Sequence, residues 1–499
     1  MEKMNMSEST RSMLSAEPIN PGLVTAEATG QYSAKQGFHF SAEEIKNFIG
    51  LYADNPLFKN TEDWTIKDNP YRRYIDPDTI KSLDFSEPLT RERVFGKNAL
   101  AAHRMLLNIY ESDLMFLPET NFAAKKNDFA RFYSNQNKLL GEMIRPALEH
   151  HVFGFLEHEI TVTGKWTVED LRLYLRSLLE AHEQSQLEII STILSSREPE
   201  KNALSFLIQL ASDFLTEASA TARNVLGKYG SIQSELFKIA IDDYGYGVHQ
   251  AKHSTLFENT LTSCGLSSLA HTYWQFYLSS SLALGNYYHY VSRDHGKFFR
   301  CLGAIAYAEA MFAHTCKQIA EMLRTIFGDR VDTHYFDEHG HIDAHHGRMA
   351  FDNLVAPAIA RYDGVIEEVI QGLEEIRFLT SIGDEDFGAQ IAWSDEAEKF
   401  KSAARPIYQR ILSGEITRSK ATLVSRQDEP AIMRVNDEDK LLIVEAGQMS
   451  FVTDHDRGLE LGAGEGIVIP RARMHGSKTS STECVYHIFD IGDYKSCLS

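Results

Sequence analysis

Residues 339–346 read His-Gly-His-Ile-Asp-Ala-His-His and place His339, Asp343 and His346 at positions i, i+4 and i+7. At about 100° per residue these side chains fall on successive turns of one helix face. Two imidazoles and a carboxylate on one face beside an apolar core point to a shared metal ion. Thirty residues upstream, Glu309 lies in Gly-Ala-Ile-Ala-Tyr-Ala-Glu-Ala-Met-Phe-Ala, which reads as a buried helix. A carboxylate buried there without a counter-charge is costly, so a positive charge is expected near it.

Other ligand-type residues lie in the same helix-rich stretch. Glu217 stands in Phe-Leu-Thr-Glu-Ala-Ser-Ala, and Asp243 and His253 bound Asp-Tyr-Gly-Tyr-Gly-Val-His-Gln-Ala-Lys-His. Carboxylates mixed with imidazoles on several bundle helices are the donor set of two-metal iron or manganese sites, whereas zinc usually takes fewer acids. His249, His341 and His345 are read as surface or supporting residues. Asp243 and His253 are ten residues apart, about 15 Å on a straight helix and too far to share a site. Either the helix breaks or one residue is not a ligand, and Gly245 and Gly247 supply a break.

The elements that must position these groups are mostly helical. The chain has 499 residues, 43% apolar and 24% charged, which suits a globular protein of about three domains. Ser41 and Glu44 form a capping-box pattern ahead of an apolar helix. Helices are expected over 98–110, 129–155 and 167–196, then a bundle over about 201–373 with breaks near residues 227–230, 245–247, 285, 328 and 340. After about residue 400 short β-branched runs separated by glycine or aspartate predict a small β-barrel. The expected domains are a disordered tail at 1–37, a helical region at 38–165, the metal-binding bundle at 166–400 and the barrel at 401–499.

A net charge of −20 without a basic stripe argues against nucleic-acid or anionic-membrane partners. Five cysteines without C-x-x-C or framework spacing speak against disulfides and thiolate zinc. The first ten residues lack the apolar core of a secretion signal, and no apolar run reaches the roughly 20 residues of a membrane span. A cytoplasmic protein is expected.

With Asp243-Tyr-Gly-Tyr-Gly, His253-Ser-Thr-Leu-Phe257 and His339-x3-Asp343-x2-His346, the chain resembles the haem-oxygenase-like di-iron oxidases. Over about residues 40–499 it is similar to their N-oxygenating members with a helical dimerisation region and a C-terminal cupin. That resemblance implies seven metal ligands: Glu217, Asp243, His253, Glu309, His339, Asp343 and His346. It also implies two Fe(II) ions, O2 as co-substrate, an external electron donor, a homodimer and a small amine or guanidine substrate in natural-product biosynthesis. Asp243 departs from the Glu expected at its place. Gly464 to Pro470 with His475 matches the second cupin motif, but Arg434 and Asn436 stand where the first motif has His-x-His, so no cupin metal is expected.

The expected chemistry is N-hydroxylation, carried in some members through to a nitro group, as from an aminoimidazole to a nitroimidazole. Alternatives are N-hydroxylation of an arginine derivative leading to an N-nitroso product, or oxidative C–C cleavage, which a long apolar channel would favour. A dimeric scaffold and a cupin-based small-molecule sensor are the non-enzymatic readings. The aromatic runs Tyr273-Trp274-Gln-Phe276-Tyr277 and Tyr287-Tyr288-His289-Tyr290 are candidates for the substrate pocket or simply core.

Overall fold

A computed structural model describes residues 40–59, 64 and 67–498, except the side chains of residues 342–345. The expected tail at 1–37 lies outside the described residues. The chain is mainly helical, with the strands confined to its C-terminal part. The N-terminal helices are α1 (Ala42–Ala53), α2 (Lys97–Glu111), α3 (Phe122–Phe132) and α4 (Asn135–Phe153). The single helix expected over 129–155 is thus two. The Ser134 side chain accepts from the Asn137 backbone N–H at 3.2 Å and starts a new helix at Asn135. The helix expected over 167–196 is likewise split into α5 (Val168–Glu183), which opens on a Thr167–Asp170 capping box, and α6 (Glu188–Ser195).

The bundle continues through α7 (Pro199–Phe214), α8 (Ser231–Asp243), α9 (His253–Ser263), α10 (Ser279–Arg293), α11 (Phe298–Phe327), α12 (His334–Met349) and α13 (Ile366–Asp395). Its core joins Leu207, Phe257, Trp274, Leu282, Leu323 and Tyr335. Two of the expected glycine breaks are not breaks. Gly285 lies inside α10 and Gly340 inside α12, each where a neighbouring helix approaches: a Cβ on Gly340 would stand 3.2 Å from Lys317 Cγ. The closest crossing joins α11 and α13, where a Cβ on Gly303 would lie 1.9 Å from the Val369 carbonyl oxygen and one on Gly372 2.0 Å from that of Arg300. Missing side chains there let two backbones touch.

Helix α14 (Ala397–Leu412) leads into eight strands: β1 (Lys420–Arg426), β2 (Ile432–Arg434), β3 (Asp439–Ala446), β4 (Gln448–Asp454), β5 (Arg457–Gly462), β6 (Gly466–Ile469), β7 (His475–Thr479) and β8 (Glu483–Gly492). They form two antiparallel sheets, ordered β1-β8-β3-β6 and β2-β7-β4-β5, whose inward residues share a core with Phe400 and Ile407 of α14. Buried polar contacts fix the strands against α13. Gln390 donates to the carbonyls of Thr453 and Met474 at 2.9 Å, and Arg473 pairs with Asp386 at 3.0 Å. The five cysteines are free, and among the described residues no helix is long and apolar enough to cross a membrane.

Candidate metal centre

Helix ends and two facing helix interiors bring the candidate ligands together. Helix α7 stops at Phe214, the chain turns through Ala218 at φ 62°, and Glu217 sits in that turn. Asp243 is the last residue of α8, and His253 the first of α9. Between them Gly245, Tyr246 and Gly247 take φ of 60°, 50° and 80°, so the helix is broken where the two glycines predict. A Cβ on Gly245 would also meet the Ala251 and Lys252 backbone at 2.5 Å, which shows how tightly the loop folds back. Glu309 lies in the middle of α11, and His339 and His346 on α12. Gly347 lets these helices close: its absent Cβ would be 3.0 Å from the Glu309 carbonyl oxygen and 2.9 Å from Ala310 Cα. Directly after α12 the chain widens into a π-helical stretch, Ala350–Val355, ahead of Pro357, which lacks an N–H to donate back.

Two groups of donors result. In the first, Glu217, His253 and His339 have ligand atoms within 4.8 Å of one another. His339 Nε2 is 2.9 Å from Glu217 Oε1, while its Nδ1 is 2.8 Å from the Tyr335 carbonyl oxygen. The carbonyl can only accept, so Nδ1 carries the proton and Nε2 turns its lone pair to the centre, as in a metal-bound histidine. His253 Nδ1 is 3.4 Å from Asp243 Oδ1 and 3.6 Å from Glu217 Oε1, and the His253 and His339 rings lie 4.2 Å apart. In the second group His346 Nδ1 is 3.4 Å from Glu309 Oε2. Its Nε2 is 2.9 Å from Asp242 Oδ2.

The electrostatics connect the groups. Burial pushes the Asp243 carboxyl well up; Glu309 and Glu217 push further, and His339 and His346 act against them. Asp243 therefore feels charges from both sets. Burial also raises Glu217, but nearby His339 and His253 outweigh it and hold that carboxyl down at about 2. The three histidines are at most 3% exposed. Glu217 Oε2 and His253 Nδ1 are buried without a hydrogen-bond partner among the described residues. No described lysine or arginine pairs with Glu217, Asp243 or Glu309. Among the described residues the positive charge expected near Glu309 is thus not a lysine or arginine, and the base that faces it is His346 at 3.4 Å. Orphaned donors, mixed oxygen and nitrogen ligands and uncompensated acids fit divalent iron.

Asp343 lies on the same helix, but its side chain is outside the described residues. His249 and His341 are exposed, and the side chain of His345 is not described. Asp242 was not anticipated, although two adjacent aspartates at the C-terminus of α8 are a signal. Negative charge there opposes the helix dipole, so something else must hold it. The run Tyr273 to Tyr277 belongs to the core and is not one helix: Trp274 is fully buried and donates to the Tyr74 carbonyl at 2.7 Å.

In the strand region His475 pairs in register with Arg434, and Asn436 Nδ2 is 3.5 Å from His475 Nε2. Burial, aided by Arg434, lowers His475 to about 4. One imidazole facing a guanidinium and an amide is a poor cation site.

Residues 204–379, which contain every candidate ligand named above, match a family described as "Iron-containing redox enzyme". The chain is 46% identical over 462 residues to nitrosourea synthase of Streptomyces achromogenes subsp. streptozoticus, covering 92% of this chain and 98% of that protein. A solved domain of unknown function with a haem-oxygenase-like fold from Shewanella denitrificans OS217 aligns with 46% of the chain and 95% of its own length, at 14% identity and a TM-score of 0.37. The chain belongs to the family of nitrosourea synthase among the haem-oxygenase-like, iron-containing redox enzymes, and it is an oxidoreductase.

Proposed function

We propose that the protein is a two-iron, O2-dependent N-oxygenase acting on an amine or guanidine nitrogen of a small, nitrogen-rich metabolite in natural-product biosynthesis. The observation that supports this reading best is the pair of buried histidine and carboxylate groups, with Asp243 in the field of both and, among the described residues, no lysine or arginine to answer them. Glu217, His253 and His339 would hold one ion; Glu309 and His346, with Asp343 on the same helix, would hold the other. Bound iron would supply electrons and the place where O2 is reduced.

The protein's own part is to keep the donors fixed and dry. Phe214, Phe257, Phe312 and Tyr335 pack around His339 and His253 and exclude water from that side. Hydroxylation of an amine consumes O2, two electrons and two protons and releases water, so an external electron donor is a partner. The product is taken to stop at the N-oxygenated stage, as a hydroxylamine, N-hydroxyguanidine or nitro compound, since any further step on an iron in the cupin would need imidazoles that the Arg434, Asn436 and His475 constellation lacks. Anaerobic iron titration followed by mixing with O2 and a panel of amines tests the proposal. Iron-dependent O2 uptake that one of these substrates accelerates would support it, and iron binding without any reaction with O2 would remove it.

A further inference from the structure

We infer that Asp213, on the side of α7 that meets Gly285 of α10, is the group that receives a positively charged guanidinium or amine of the substrate; this rests on the N-oxygenase reading above. Asp213 lies in the last turn of α7, four residues before Glu217. It packs against α10 where that helix has no side chain: a Cβ built on Gly285 would be 3.6 Å from Asp213 Cβ and 3.9 Å from its Oδ1. Tyr288 follows Gly285 by three residues and shares its helix face. Burial is the main influence on the Tyr288 hydroxyl, and Asp213 and then Glu309 follow, so this hydroxyl lies within the field of both acids.

Two further observations indicate a binding role. Asp213, Glu217, Tyr288 and Glu309 each keep part of their surface accessible, whereas Ala211, Ser212, Tyr287 and His289 around them are buried. Four buried acids elsewhere in the fold are answered by cations. Glu111 meets Arg73 and His271, Glu149 meets Arg145 at 2.8 Å, Glu375 meets Arg300 at 3.2 Å and Asp386 meets Arg473 at 3.0 Å. Among the described residues Asp213 has no such cation and its carboxylate no hydrogen bond; burial, with Glu217 and Glu111, pushes it up to about 7. A carboxylate left unanswered next to the centre is completed by a cationic ligand.

The test is equilibrium binding to the anaerobic, iron-loaded protein, measured by calorimetry for two isosteric pairs: arginine and citrulline, and 2-aminoimidazole and imidazol-2-one. In each pair the first member is cationic at neutral pH and the second is not. The wild type is expected to prefer the cation of at least one pair. Asp213→Asn should abolish that preference, a loss of about 10- to 100-fold in affinity for a charge-assisted hydrogen bond. Asp213→Glu should restore part of it, and Tyr288→Phe should weaken it less. Iron content and circular dichroism must match the wild type. Absence of any cation preference in the wild type, its persistence in Asp213→Asn, or loss of iron in that variant would each overturn the inference. Wild-type O2 uptake is read separately, so failure of the N-oxygenase reading itself would be seen independently.

Discussion

Replacing Asp242 with Asn tests whether the carboxylate behind His346 supports one iron subsite. Its Oδ2 accepts from His346 Nε2 at 2.9 Å, leaving Nδ1 toward Glu309. A hydrogen bond to a charged group contributes about 1.5–3 kcal/mol. The imidazole is 1% exposed but the Asp242 side chain 23%, so solvent reduces the effect toward the lower part of that range, about 1.5–2 kcal/mol. That corresponds to a roughly 10- to 30-fold weaker affinity at one subsite, within the usual cost of losing a carboxylate behind a ligating histidine. Anaerobic iron titration against a chelator of known affinity reads the two subsites separately. The subsite of Glu217, His253 and His339 should keep its affinity while the other weakens. Equal weakening of both subsites, or no change at either, would refute the reasoning. Complete loss at one subsite would make Asp242 itself a ligand.

Gly347→Ala should cost about 1–3 kcal/mol of stability by overpacking and weaken iron binding at Glu309 and His346, checked by denaturant unfolding and titration. Gly303→Ala should destabilise by a similar amount or more through the α11–α13 crossing while leaving the ligands unchanged, so refolded protein should still load iron. In metal-free protein, Asp213 has a folded pKa of about 7, above its unfolded value. The stability it contributes is present below the unfolded pKa and is lost as pH rises toward 7. The wild-type Tm should therefore fall relative to that of Asp213→Asn between about pH 4 and 7, which thermal melts across that window would show. His475→Gln should leave iron stoichiometry and N-oxygenation unchanged, measured by metal analysis and product mass spectrometry.

The parts of the centre that are local in sequence were legible. His339 and His346 share a face because helical periodicity is a short-range property, and Gly245 and Gly247 disclosed the break between Asp243 and His253 because positive φ favours glycine. Groups that depend on a distant helix were not legible. Gly285 and Gly340 read as interruptions, since a sequence does not distinguish a glycine that ends a helix from one that admits a neighbour. Asp213 acquires meaning only from Gly285 across the bundle. Asp242 and Asp243 are adjacent and chemically identical, and only the turn at the end of α8 sends one toward His346 and the other toward His253. The division into α3 and α4 depended on Ser134, a single capping residue inside an otherwise continuous apolar pattern.

Turnover with isotopically labelled O2 addresses the N-oxygenase account most directly. Protein loaded with about two Fe(II) per chain, the number expected for a mixed histidine and carboxylate bundle site, is mixed with reductant, labelled O2 and an amine or guanidine, and the product is analysed by mass spectrometry. The account predicts labelled oxygen bound to the substrate nitrogen, in an amount that falls to background when His346 is replaced by Ala. Label on carbon, a cleaved carbon chain, or unchanged labelling in the His346→Ala variant would contradict it.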